Sequence, residues 1–400
     1  MNRKESVFVS FLLSLALAGC NVLQPDTQPA RTPPAAPVSQ PQQPQPQSTG
    51  PEAAAPPQAG IPAAHLLWSF DAPGAIEEIG VSGREVVLLT TADQSDALLR
   101  LDTLGKAVAP TLVVGGHIDV INGWLGNATP DFGRILVFTD KLKAKVINRA
   151  GETLWQGSRP SPGKAGSHLY LLPDGKTLLN DISDAGVVYE AAAFDLSGKP
   201  LWQTKYDQSG MLLHATAEEI VLGNDNIIWR SKYDGTDRKV LPMAGLDEEW
   251  PSFSTDGSTI VRVDQKGVGH IYDANGMELA QWPSGEIRGI SSNGQQILVE
   301  TAIGSYALLN RQGRTLWQLA HDQRPYVAQL SPDGAFFVTV TGPTPPFRVT
   351  LYDQKGLPVW QSELPMSAKI RSASAFVDSA SRLVYVSLEQ QLYALPLSVK

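Results

Sequence analysis

Asn148-Arg149-Ala150-Gly151-Glu152-Thr153-Leu154-Trp155-Gln156 and Asp195-Leu196-Ser197-Gly198-Lys199-Pro200-Leu201-Trp202-Gln203 are two copies of one pattern: Asp or Asn, two residues, Gly, then an apolar residue and Trp-Gln. The first side chain can accept hydrogen bonds inside its own turn, and Gly at the fourth position tolerates a positive φ. The pattern therefore predicts a tight β-hairpin. Asn310 to Gln318 and Asp353 to Gln361 repeat it, and weaker copies centre on Gly105, Gly276 and Gly235, the last with its acidic residue displaced to Asp234. The seven turn glycines, Gly105, Gly151, Gly198, Gly235, Gly276, Gly313 and Gly356, stand 46, 47, 37, 41, 37 and 43 residues apart. A mean of about 42 is the length of one four-stranded propeller blade.

A second turn signal lies about 20 residues before the first in most repeats: Pro173-Asp174-Gly175, Asp256-Gly257, Asn293-Gly294 and Pro332-Asp333-Gly334. Two hairpins per repeat make four strands. The intervening segments alternate or run apolar over short spans, as in Arg348 to Tyr352 and Ser258 to Val263, and none carries a capped 3.6-residue period. The fold class expected is all-β, a β-propeller of four-stranded blades. The last repeat stops after Gln391-Leu392-Tyr393-Ala394-Leu395, while an orphan Leu66-Leu67-Trp68-Ser69 near the start matches the strand that leaves the turn elsewhere. Pairing the N-terminal and C-terminal strands closes the ring and removes exposed edges. Seven repeats plus this composite predict eight blades; seven stays open because the repeat around Leu212 to Leu241 is degenerate.

The start of the chain reads differently. Arg3 and Lys4 precede an apolar run of 11 residues, Val7 to Leu17, short of the roughly 20 that a membrane-spanning helix needs. Leu17-Ala18-Gly19-Cys20 then resembles a bacterial lipobox. Residues 1–19 are expected to be a lipoprotein signal peptide and Cys20 the lipidated residue, since two or more acyl chains anchor stably where one is marginal. Asn21, in place of an inner-membrane-retaining Asp, favours the outer membrane if the cell has two. Cys20 is the single cysteine, so disulfide and thiolate-metal chemistry is not expected. Residues 20–63 are rich in Pro, Gln and Ala and poor in large apolar side chains, a composition that cannot offset its ordering entropy. They are expected to form a disordered tether with a reach of about 130 Å if fully extended, leaving 64–400 as the propeller domain.

The repeated D-x-x-G-x-x-L-W-Q resembles the repeats of quinoprotein-dehydrogenase-like propellers. That resemblance implies that Trp68, Trp155, Trp202, Trp317 and Trp360 dock each blade against the next. Among lipidated members the architecture is similar to the BamB type, propeller lipoproteins of outer-membrane β-barrel assembly, although the long tether departs from a short linker. The Ser331-Pro332-Asp333-Gly334 turn is also similar to those of TolB-like and WD40-like propellers. A quinone enzyme of the family would carry a vicinal disulfide, calcium ligands and a catalytic Asp, and the lone Cys20 removes the first. No C-x-x-C-H, H-E-x-x-H or G-x-S-x-G motif occurs. Ser254-Thr255-Asp256-Gly257-Ser258-Thr259 places Gly directly after Asp and so misses the sialidase box.

Six histidines are scattered singly. His168 and His214 fall on expected innermost strands and, with Glu78, Asp119, Arg288 and Arg371, are candidate channel residues; a solvated pore wall is the plain alternative. Trp124, Trp250 and Phe347 sit among polar or loop-forming residues, where an aromatic serves as an interface anchor or as packing. A net charge of -8 with 18% charged residues argues against nucleic-acid binding. No catalytic residue, cofactor or metal is expected. The leading functional expectation is a membrane-anchored scaffold for unidentified envelope proteins, with a role in outer-membrane protein assembly. Two alternatives are a ligand-binding or sensor propeller using its channel, with the small molecule unknown, and a quinone-dependent oxidoreductase-like enzyme.

Overall fold

The computed structural model describes residues 60–398 except 93–94, 119–126, 141–142, 159–166, 185–186, 206–209, 225–226, 244–249, 343–344, 366–369 and 371. Every regular element among them is a β-strand. The strands form eight antiparallel sheets, seven of four strands and one of three, which are the blades of a propeller. In chain order blades 1 to 7 occupy 75–113, 134–158, 167–205, 211–241, 252–282, 286–320 and 327–364. Blade 8 combines the last three strands, from Ala373 to Pro396, with the first strand of the chain, Trp68–Asp71. That first strand lies on Gln391–Pro396 with Trp68 opposite Ala394 and Asp71 opposite Gln391. The ring is thus closed by the N-terminal and C-terminal strands, and the count is eight. Blade 2 has three strands, but Ala128 bridges Ile135 and Asn127 accepts a hydrogen bond from Leu136, so 127–129 takes the innermost place.

Burial explains the sequence pattern. Middle strands such as Ser305–Asn310 and Leu383–Leu388 are buried on both faces because a neighbouring blade covers each, so they read as apolar runs rather than alternating ones. Outer strands such as Thr153–Ser158 alternate between exposed and half-buried positions. Among the described residues the core divides into eight apolar clusters, and each spans one blade–blade interface. The interface of blades 7 and 8 also takes in Ala64. There the chain docks on the outer strand of blade 7: Ala64 N donates to Gln361 O (2.8 Å) and Gln361 N to Pro62 O (3.0 Å).

Candidate functional site

The turn and tryptophan residues lie at the rim of the propeller. All seven turn glycines have φ between 72° and 83°. In six of the turns the leading Asp or Asn accepts from the backbone N–H two and four residues on, as Asp353 does from Lys355 and Leu357. In the Gly235 turn Asp234 accepts from Thr236 instead. Trp68 of blade 8 lies over Gly105 of blade 1, Trp202 of blade 3 over Gly235 of blade 4, and Trp317 of blade 6 over Gly356 of blade 7. Trp68 Nε1 donates to Thr103 O (3.0 Å) and Trp202 Nε1 to Tyr233 O (2.6 Å), so each indole also bonds the backbone of the turn it covers. Trp155 packs beside Phe194 of blade 3, with ring centroids 6.3 Å apart, and Trp360 is fully buried between blades 7 and 8.

The innermost strands line the central channel. Ala75–Ser82, Ser167–Leu171, Met211–Ala215, Ser252–Phe253, Glu286–Ile290, Val327–Leu330 and Ala373–Asp378, with 127–129, supply one wall segment per blade. Glu78, His168, His214 and Arg288 all lie on these strands. Cys20, Asp119, Trp124, Asp247 to Glu249 and Arg371 fall outside the described residues. Phe347 is buried in the core between blades 7 and 8, and its ring meets Tyr326 edge-on. Trp250, by contrast, is 51% exposed.

A cavity of about 890 Å³ occupies the channel, walled by Glu78, Phe132, His214, Trp250, Phe253, Gln329, Ser374 and Phe376 among others. A second of about 390 Å³ is lined by Arg288, Tyr306, Arg324 and Tyr326 and shares Gln329, Ser374 and Ala375 with the first. The second is electrostatically satisfied. The buried Glu300 carboxylate accepts from Arg288 Nε (2.7 Å) and Arg324 (2.8 Å), while its other oxygen accepts from Gly304 N (3.0 Å). Glu286 pairs with the same two guanidinium groups. His168 lines neither cavity: its ring is held by the fully buried Asp181, 3.0 Å from Nδ1, which also accepts from Tyr170 OH (3.2 Å).

The larger cavity is less evenly balanced. His214 is stacked on Phe253 with centroids 5.0 Å apart, and burial, then the Arg230 charge, push its pKa down to about 4, so the imidazole is neutral at pH 7. Its Nε2 is buried with no hydrogen-bond partner. Burial pushes the Glu78 carboxyl up to about 7. Side chains alternate along a strand; Ile79 enters the core between blades 8 and 1, which turns Glu78 and Gly80 toward blade 2. There the ring of Phe132 lies against Gly80, where even a methyl group would sit 2.1 Å from the ring.

Phe132 is a channel residue that the turn search missed. Thr129-Pro130-Asp131-Phe132 folds as Ser331-Pro332-Asp333-Gly334 does: Phe132 N donates to Thr129 O (2.8 Å), as Gly334 N does to Ser331 O (2.9 Å). Phe132 has φ 53°, in the left-handed region where the corresponding positions of blades 3, 5, 6 and 7 carry Gly. The signal was present in Thr-Pro-Asp, but a search keyed on the following Gly passes over it.

A pyrroloquinoline quinone with its calcium needs several convergent oxygen donors. Among the described residues no three His, Cys, Asp or Glu side chains come together in a manner that could hold a metal, and the residues described do not fit that group. No protein-family model and no curated protein matches the chain. Solved structures do match. The C-terminal WD40 domain of Sif2 superposes with a TM-score of 0.55 at 12% identity, over 84% of this chain and 99% of that one. BamB from Moraxella catarrhalis superposes with a TM-score of 0.51 at 13% identity, over 84% and 100%. At such identity the likeness is one of fold, and the chain is an eight-bladed β-propeller similar in architecture to both.

Proposed function

We propose that this protein is a lipid-anchored scaffold of the bacterial envelope, whose propeller binds protein partners at the channel mouth and acts in outer-membrane protein assembly. The observation that carries the reading is Trp250: a half-exposed indole beside Pro251 at the wall of a wide aromatic cavity. Trp is the residue type most often found to dominate binding energy, and hot spots gather where a pocket adjoins an anchor. The architectural likeness to BamB supports the same reading. In it residues 1–19 direct export, Cys20 carries the acyl chains, 20–63 act as a tether, and 64–400 do the binding without catalysis.

The test uses the full lipoprotein tagged at Lys400, cross-linked in cells and solubilised in mild detergent. A near-stoichiometric envelope protein should co-purify, and Trp250→Ala should weaken its capture by about 30-fold or more, the equivalent of a hot spot of about 2 kcal/mol. Cys20→Ala should move the protein from the membrane fraction to the soluble one. Recovery of the propeller alone, with turnover of a substrate, would sink the scaffold reading.

A further inference from the structure

We infer that the channel contains a binding site for an organic ammonium group, with Glu78 as its counter-ion and the Phe132, Phe253, Phe376 and Trp250 rings as its walls. Glu78 is the exception among the enclosed carboxylates of the described residues. Asp181 accepts from His168 and Tyr170, and Glu300 from two arginines and a backbone N–H. Glu78 makes no hydrogen bond or ion pair with any described residue, yet it lines the larger of the two cavities. An ionised carboxylate removed from water without a partner is costly, and a cation supplied from outside relieves that cost.

The surroundings select the ligand. Among the described lining residues there is no Lys or Arg, and His214 is neutral, so none of them supplies a cation to Glu78. No charge from a described residue shifts its carboxyl; burial alone does. Glu78 and His214 are the only His, Cys, Asp or Glu among the described lining residues, short of the three protein donors a metal site usually needs. Aromatic side chains lining the same cavity as one carboxylate instead suit an ammonium on an apolar stem, which gains the ion pair and, from the rings it reaches, cation–π attraction. Two local irregularities maintain the arrangement. Phe132 is held at φ 53° where sibling turns use Gly, and Gly80 leaves the space its ring fills. Strain of this kind persists where the surroundings over-determine it and gathers at functional sites.

The inference shares Trp250 with the partner reading but rests on Glu78 and the cavity, so loss of protein capture leaves it untouched. Its test titrates the intact protein with 2-phenylethylammonium, with 3-phenylpropanol as the uncharged control, by thermal shift and tryptophan fluorescence. Saturable binding of the ammonium at pH 8 is expected, about tenfold weaker at pH 6 where most Glu78 is protonated, with none of the alcohol. Glu78→Gln should abolish binding while folding at least as stably as the parent, so that lost binding is not lost structure. Nα-acetyl-lysine amide then identifies the source: its binding marks the ammonium as a partner's side chain, and its exclusion marks a free amine. Equal binding of the alcohol, no ammonium binding at pH 8, or full binding by Glu78→Gln would overturn the site.

Discussion

Blades 2 and 7 build the same inner turn from different residues. In both, a hydroxyl bonds the Asp two residues on (2.6 Å), and that Asp accepts a backbone N–H two residues further along, from Gly133 at 2.8 Å or Ala335 at 3.0 Å. In blade 7 the left-handed residue is Gly334, and Gln296 of blade 6 lies over it. In blade 2 the left-handed residue is Phe132, which reaches back over Gly80 of blade 1. In blade 2 the turn thus supplies the side chain, and the inner strand of blade 1 supplies the glycine that makes room for it. The regular turn serves packing alone; the irregular one also sets an aromatic ring into the channel wall near Glu78.

The comparison can be broken most severely by transplanting it. Gly334→Phe adds left-handed strain and drives a ring into Gln296, and should cost about 3 kcal/mol or more in urea denaturation. Gly80→Ala should cost about 2 kcal/mol by displacing the Phe132 ring, and Phe132→Gly in the same chain should recover part of that loss, a coupling read from a double-mutant cycle. Glu78→Gln sharpens the electrostatic half. With the folded carboxyl at about 7 against an ordinary 4.5, the folded state holds the proton more tightly. The wild type therefore loses stability as pH rises through this window. The variant should be more stable at pH 8, on the order of 1–2 kcal/mol after allowance for solvent, and equal to the parent below pH 4.5. The smallest effect expected is at Trp250→Ala, whose half-exposed ring should change stability by no more than about 0.5 kcal/mol.

The blade repeat was legible because its chemistry is local. Asp353 and Gly356 satisfy their own turn, so the pattern survives in sequence whatever packs around it. Closure was legible for a related reason: Trp68 matched a strand for which the nearby sequence offered no blade. The site was only partly so. Strand order placed Glu78, His168, His214 and Arg288 toward the channel, but their differences come from which side chains the fold sets beside each. His168 is tied to Asp181 on the adjoining strand, Arg288 is engaged by Glu286 and Glu300, and Glu78 is left without a partner among the described residues. Phe132 escaped notice because its turn breaks the residue rule while keeping the hydrogen bonds.

The most direct measurement places a photo-reactive phenylalanine analogue at position 250 of the membrane-tethered protein in living cells and, separately, at position 201, where the exposed Leu201 lies on an outer strand of blade 3. The account predicts a cross-link to one envelope protein from position 250 and none from position 201. No adduct from 250, or the same adducts from both, would contradict a partner site at the channel mouth.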